Sequence, residues 1–390
     1  MTEVQTASPA QVVDFDLSPE LQELQTKVRT YADQFVVPDA AKRDRQAEFP
    51  GDAVAKAAEL GLLRMTVPVE HGGTDLGNLA SCVTLEEVNA ACASTGVTIS
   101  VHNSLVCSPI AKWGTAEQKE RFFPKLIGGE WLGAYCLSEA GSGSDAAGLR
   151  CEARLDGDEY VLNGPKLWIT TGSQAKLFVV FARTGPDRVK GITAFLVEGD
   201  RPGVGVGKKE RKLGIRASPT TEILLENVRV PVANRLGDDG VGFTIALDTL
   251  DGGRLGIASQ ALGLARAAKD LIRDHLATQK DHKGRPNASQ ASQWEFADLT
   301  ADLEAYRFLT WRAAILRDRK VRCSREAAMA KLCTSRLANR AARVAVTILG
   351  EAGVSGVSDA ERILRDARIT EIYEGATDIQ RLVVARAELT

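Results

Sequence analysis

The sequence predicts an α+β chain: an N-terminal helical domain, a middle antiparallel β domain and a C-terminal four-helix bundle, in that order. Three observations carry this prediction. Apolar residues recur every three or four positions up to about residue 128, the runs shorten near Trp131, and the long period returns after Gly242. The expected divisions are 1–128, 129–238 and 239–390.

In the first zone, Ser18 and Pro19 make an N-cap and first-turn start, followed at helical spacing by Leu21, Leu24, Val28, Tyr31 and Phe35. Pro50 opens a second helix through Ala53, Val54, Ala57, Ala58 and Leu60, and Gly61 stops it. Leu79–Ala93 and Val101–Trp113 continue the pattern. The second zone holds short apolar runs, Trp131–Leu137, Cys151–Leu155, Tyr160–Leu162, Leu177–Phe181, Ile192–Val197 and Ile223–Val230. Turn dipeptides such as Asp156-Gly157 and Asn163-Gly164 join them, too closely for crossover helices, which favours an antiparallel sheet or barrel. In the third zone, Leu247–Leu276, Gln293–Arg319 and Ser324–Leu349 each predict a long helix suited to a bundle.

Composition limits the chemistry. Forty-nine Lys and Arg against 51 Asp and Glu leave a formal charge of −2, so the chain has no global pull on nucleic acid or anionic membrane. No apolar run approaches the ~20 residues of a membrane helix. Met1 to Phe15 is polar, with no Lys or Arg before Lys27, unlike a secretory signal or an Arg-rich transit peptide. Cys82, Cys92, Cys107, Cys136, Cys151, Cys323 and Cys333 contain no C-x-x-C pair and read as reduced thiols of a cytoplasmic protein. His71, His102, His275 and His282 are not spaced as metal ligands, and no metal is expected.

Two segments suit a ligand. Tyr135 to Gly148 interleaves Gly141, Gly143 and Gly148 with Ser138, Ser142 and Ser144, letting backbone approach a flat or phosphorylated molecule closely. It lacks the G-x-G-x-x-G helix context of a dinucleotide fold, and on residues alone such a stretch is more often an ordinary loop. In Lys166 to Gly172, Trp168 followed by hydroxyls could present an aromatic wall to a planar ring, but on residues alone a plug in the sheet core is the commoner arrangement.

At these two segments the sequence resembles the acyl-CoA dehydrogenase family, and the resemblance spans nearly the whole chain. Cys136-Leu-Ser-Glu-x-x-Ser-Gly-Ser-Asp145-x-x-Gly148 matches that family's first motif, and Ala360 to Gly375 matches its C-terminal one. Ser100–Leu105, Lys212–Ser218, Leu250–Arg254 and Ile379–Val383 match as well. The resemblance implies FAD between the β domain and the bundle, with Tyr135, Leu137, Ser138, Gly143, Ser144, Trp168, Ile169, Thr170 and Thr377 against the cofactor. It implies substrate contacts at Ser144, Asp251, Arg254 and Gly375. By the same likeness Glu374 is the catalytic base; some branches carry that base at the position of Gly253.

The implied reaction is FAD-dependent α,β-dehydrogenation of a short or branched acyl-CoA in fatty acid metabolism. Glu374 removes the α-proton and flavin N5 takes the β-hydride. An electron-transfer flavoprotein is the implied acceptor, and a homotetramer or homodimer the implied assembly. Alternatives are a biosynthetic desaturase of an unusual thioester on CoA or a carrier protein, including γ,δ chemistry, and a flavin-poor partner subunit of a hetero-oligomer. The last is motivated by departures from the family pattern: its Arg-x-x-Phe-Gly becomes Lys280-Asp-His-Lys-Gly284, Thr347 and Gly350-Glu351 replace a Gln and a Gly-Gly pair, and Thr171 and Ala376 replace an Asn and a Thr.

Overall fold

The computed structural model describes residues 16–285 and 287–389, so the reading of Met1–Phe15 lies outside the described residues. The first layer is helical: α1 (Pro19–Tyr31), α2 (Val37–Gln46), α3 (Gly51–Glu59), α4 (Gly77–Ala91), α5 (Ala93–Val101), α6 (Ser108–Trp113) and α7 (Ala116–Ile127). Ser18 caps α1 by accepting from the Leu21 N–H. Thr115 and Gln118 form a reciprocal capping box on α7. A π-helical stretch, His102–Cys107, joins α5 to α6.

Eight strands follow: β1 (Leu132–Cys136), β2 (Glu152–Asp156), β3 (Glu159–Thr170), β4 (Ala175–Arg183), β5 (Ile192–Glu198), β6 (Val204–Lys209), β7 (Thr220–Pro231) and β8 (Arg235–Leu236). They form one sheet in the order β6-β7-β3-β2-β4-β5-β8, with β1 also on β4. The hairpins are antiparallel as expected, but β1 runs parallel to β4, with Tyr135 opposite Val179. The chain reaches β4 only after passing through β2 and β3, and that long return permits the parallel pairing. The strand β5 is buried along its whole length, because Phe123 and Ile245 pack on Ile192, Ala194 and Leu196 while Phe195 and Val197 enter a second core with Tyr160 and Phe178.

The third layer holds α8 (Gly242–Thr278), α9 (Gln290–Asp318), α10 (Ser324–Leu349), α11 (Glu351–Val354), α12 (Ala360–Ala367) and α13 (Thr377–Leu389). Small residues bring helices close. A Cβ on Gly263 of α8 would sit 2.6 Å from the Glu86 carbonyl oxygen and 2.8 Å from the Ala90 nitrogen of α4. Leu262, Leu299, Leu303, Ala341 and Ala345 fill the space between α8, α9 and α10.

Candidate functional site

The glycine–serine turn leaves β1 at Cys136 and is braced from below. Lys166 of β3 is fully buried, and its Nζ donates to Glu139 Oε1 at 2.7 Å and to the Leu137 carbonyl at 3.4 Å. Glu139 also accepts the backbone N–H groups of Arg150 (2.7 Å) and Cys151 (3.0 Å). Burial alone would raise its pKa, but the Lys166 charge and these hydrogen bonds outweigh burial and hold it below the usual range. The Leu167 N–H ties down the Ser138 carbonyl at 2.9 Å. Above this brace, Gly143 and Ser144 are exposed, and a Cβ on Gly141 or Gly143 would meet nothing within 4 Å. The turn thus offers bare, open backbone.

The register between β3 and β7 slips between Lys166 and Ile169, and Trp168 sits in the slip at φ +61°. It is 62% exposed, whereas Ile169 is 1% exposed and plugs the sheet core. The structure therefore decides between the two readings of Trp168 in favour of a presented aromatic wall. Thr170 is half-buried beside it. Thr171 also has positive φ, +65°, and its buried Oγ1 has no partner. Strained backbone, an outward indole and an unspent hydroxyl converge on one strand end.

Glu374 lies between the 3₁₀ turn Arg368–Glu371 and α13. Glu374 and Gly375 both have positive φ, +51° and +98°. Lys331 Nζ of α10 donates to the Gly375 carbonyl, as does Gln380 Nε2 at 2.8 Å. Thr377 opens α13 and donates its hydroxyl to the Glu371 carbonyl at 3.2 Å. The carboxyl projects toward α8, where a Cβ on Gly253 would collide with Glu374 Oε2. An apolar wall of Val97, Val101, Leu105, Tyr135 and Tyr373 stands nearby. Glu374 Oε2 is buried without a hydrogen-bond partner. Burial raises its pKa to about 7, against the opposing pull of the Lys331 and Arg254 charges.

Tyr135 links the sheet to this carboxyl. Its hydroxyl is pushed well above its ordinary pKa by burial and by the Glu374 charge. Arg254 also reaches the centre, but from within: it is 7% exposed and paired with Asp251, whose other oxygen accepts from Ser324 Oγ at 2.6 Å. Its charge faces Glu374. Lys280, Lys283 and Arg285 lie elsewhere, on the exposed turn after α8, where Asp281 pairs with Arg285 at 3.0 Å. Sequence reasoning missed Lys166, Glu139 and Lys331 as site residues. Each is a charge inside an apolar stretch, a pattern that marks a candidate but not its partner.

Chemically, an unpartnered carboxyl titrating near neutrality in an apolar box can take a proton from a weak carbon acid. The bare turn, the presented Trp168 and the orphan Thr171 hydroxyl suit a planar cofactor edged with acceptors and donors. Among the described residues, no three His, Cys, Asp or Glu side chains gather as metal ligands.

Family models match the chain in three consecutive pieces: acyl-CoA dehydrogenase N-terminal domain over residues 18–130, middle domain over 134–228 and C-terminal domain over 240–389. Among curated relatives, the mitochondrial short-chain specific acyl-CoA dehydrogenase of Mus musculus is 49% identical over 365 residues, covering 93% of this chain and 89% of its own. The short-chain specific acyl-CoA dehydrogenase of Clostridium acetobutylicum is 40% identical, with 96% and 99% covered. Butyryl-CoA dehydrogenase from Megasphaera elsdenii superposes with a TM-score of 0.94 at 35% identity, over 97% of this chain and 100% of that one.

Proposed function

Because the chain belongs to the acyl-CoA dehydrogenase family, we propose that it dehydrogenates a short or branched acyl-CoA between Cα and Cβ, with Glu374 as the base. The observation that carries this reading is the Glu374 carboxyl, buried, unpartnered at Oε2 and titrating at about 7. A thioester α-C–H is too weak an acid for an ordinary carboxylate in water. Desolvation strengthens the base, and donors on the thioester carbonyl would stabilise the developing enolate.

FAD, when bound, supplies the two-electron acceptor for the β-hydrogen. The open backbone at Gly143 and the hydroxyls of Ser138, Ser144, Thr170 and Thr377 would hold it, Tyr135, Leu137 and Ile169 would line it, and Trp168 would cover one edge. Gly375 and Arg254, braced by Asp251, keep the substrate side of Glu374 ordered. Tyr135, Tyr373 and Leu105 exclude water from the carboxyl. The preference for a short acyl group is supported by Leu105, whose Cδ2 lies 3.1 Å from a Cβ built on Gly253, and by Val97 and Val101 beside it.

Electrons pass on to an electron-transfer flavoprotein, and the chain assembles as a homodimer or homotetramer. Exposed Leu382 and Trp294 on α13 and α9 support association with further copies. No helix among the described residues is long and apolar enough to cross a membrane. Seven free thiols, six of them buried, support a reducing, cytoplasmic setting.

The test is anaerobic mixing of the purified protein with a panel of acyl-CoA thioesters, following flavin absorbance. Four- and five-carbon chains should bleach it fastest. A protein without flavin absorbance even after added FAD, or a Glu374→Gln variant that bleaches as fast as wild type, would overturn the reading.

A further inference from the structure

Lys331 is 1% exposed in the middle of α10, and its ammonium has no ion-pair partner within 4 Å among the described residues. A buried, unpaired ammonium is expensive, and a methionine of similar length would pack there without that cost. Its one hydrogen bond goes to the Gly375 carbonyl. That carbonyl is clamped a second time by Gln380 Nε2, a side chain with no exposure at all. The peptide being clamped directly follows Glu374, in a stretch where two successive residues hold positive φ. Without an external restraint such a stretch would relax, and the carboxyl would swing with it.

The charges around Glu374 are few. Arg254 faces it from α8, Lys331 from α10, Tyr135 from β1 and Tyr373 from its own loop, and Glu371 on the same turn faces Lys331. From the 97–105 segment, Val97, Val101 and Leu105 pack against Tyr135 and Tyr373. Arg254 also acts on Glu374, but it is shared with Asp251. Lys331 is the cation with no carboxylate at ion-pair distance among the described residues. Burial brings its own pKa down to about 8, with the Glu374 charge working against that fall, so it is charged at neutral pH.

We propose that Lys331 is the positioning residue of the base: it fixes the Glu374–Gly375 peptide through the Gly375 carbonyl, and from there its ammonium favours the charged form of the Glu374 carboxyl. The proposal deepens the dehydrogenase reading and rests on Glu374 being the base.

The experiment measures kcat/KM against pH, with flavin content and melting temperature, for wild type and for Lys331→Met, Lys331→Gln and Lys331→Arg. A base works only when deprotonated, so loss of the neighbouring cation should move the acidic limb to higher pH. The Gln and Met variants should shift it up by roughly one unit. The Met variant, lacking a donor as well, should also lose roughly tenfold in kcat on the plateau. The Arg variant should keep the wild-type limb. A limb unmoved in a folded, flavin-loaded Gln variant overturns the proposal. If the Met variant does not fold, the Gln and Arg variants decide between shift and no shift. Glu374→Gln, run in parallel, should lose activity at every pH; retained turnover there would sink the base assignment itself, whatever Lys331 does.

Discussion

A carboxyl that titrates near 7 makes two demands that can be measured separately. In catalysis Glu374 must be ionised, so kcat/KM should climb with pH through about 7 and then level. Replacement by Gln should cut kcat by roughly 10³, within the range expected of a general base, while flavin stays bound. In folding the sign reverses. A carboxyl whose native pKa stands above its ordinary 4.5 favours the folded state below that value, and the benefit is lost as pH rises to about 7. Glu374→Gln should therefore melt higher than wild type at pH 8 and show no such gain at pH 4.5. Equal melting differences at both values would count against the burial described here. None of this was legible from Glu374 alone, one of 51 acidic residues, and only its place in the Ile372–Gly375 motif singled it out. Lys331 was less legible still, because burial of a charge is decided by what packs over it.

At the scale of elements, the Lys166–Glu139 pair joins a strand to the turn that leaves another. Lys166→Met would leave Glu139 half-stranded against two backbone donors, a loss of about 3 kcal/mol or more. The melting temperature should fall, and flavin should dissociate more readily, since the same turn carries Gly143 and Ser144. A second prediction concerns Leu105, which stands between Gly253 and the 97–101 wall. Leu105→Ala should raise the kcat/KM ratio of a six-carbon to a four-carbon acyl-CoA by roughly tenfold, the scale of one or two methylenes in an apolar pocket. An unchanged ratio would place the acyl chain elsewhere. Elements of this kind were the part best read in advance. The helix expected over Ser324–Leu349 has those bounds, and that over Leu247–Leu276 runs Gly242–Thr278. Periodicity sees which residues face a core. It does not see strand direction, so the parallel β1–β4 pairing escaped it, and it does not see backbone sign, so Trp168 stayed ambiguous until its φ was known.

Across the whole molecule, the first and third layers are locked by buried ions. Glu87 of α4 accepts from Arg29 of α1 at 2.9 Å and from Arg266 of α8 at 2.6 Å, while Glu86 accepts from Arg307 of α9 at 2.7 Å. Burial would raise the Glu87 pKa, but its two arginines prevail and bring it down to about 2. With a native pKa below the ordinary 4.5, Glu87 adds stability above that value and loses it as pH falls toward 2, on the order of 3 kcal/mol in all. Acid unfolding should accordingly be blunted in Glu87→Gln, whose stability should change less between pH 4.5 and 2.5 than that of wild type. Light scattering should return a mass of two or four times 41.9 kDa.

The crowding at Gly253 also bears on how such a chain can change over generations. Glu374 fills the volume that any side chain at 253 would need, so the two positions compete for one space. A side chain gained at 253 would be accommodated only if the flexible end of Glu374 turned aside, so a change at one position would move the base at the other. A single contact between a missing methyl group and one oxygen thus ties the history of two codons far apart in the gene.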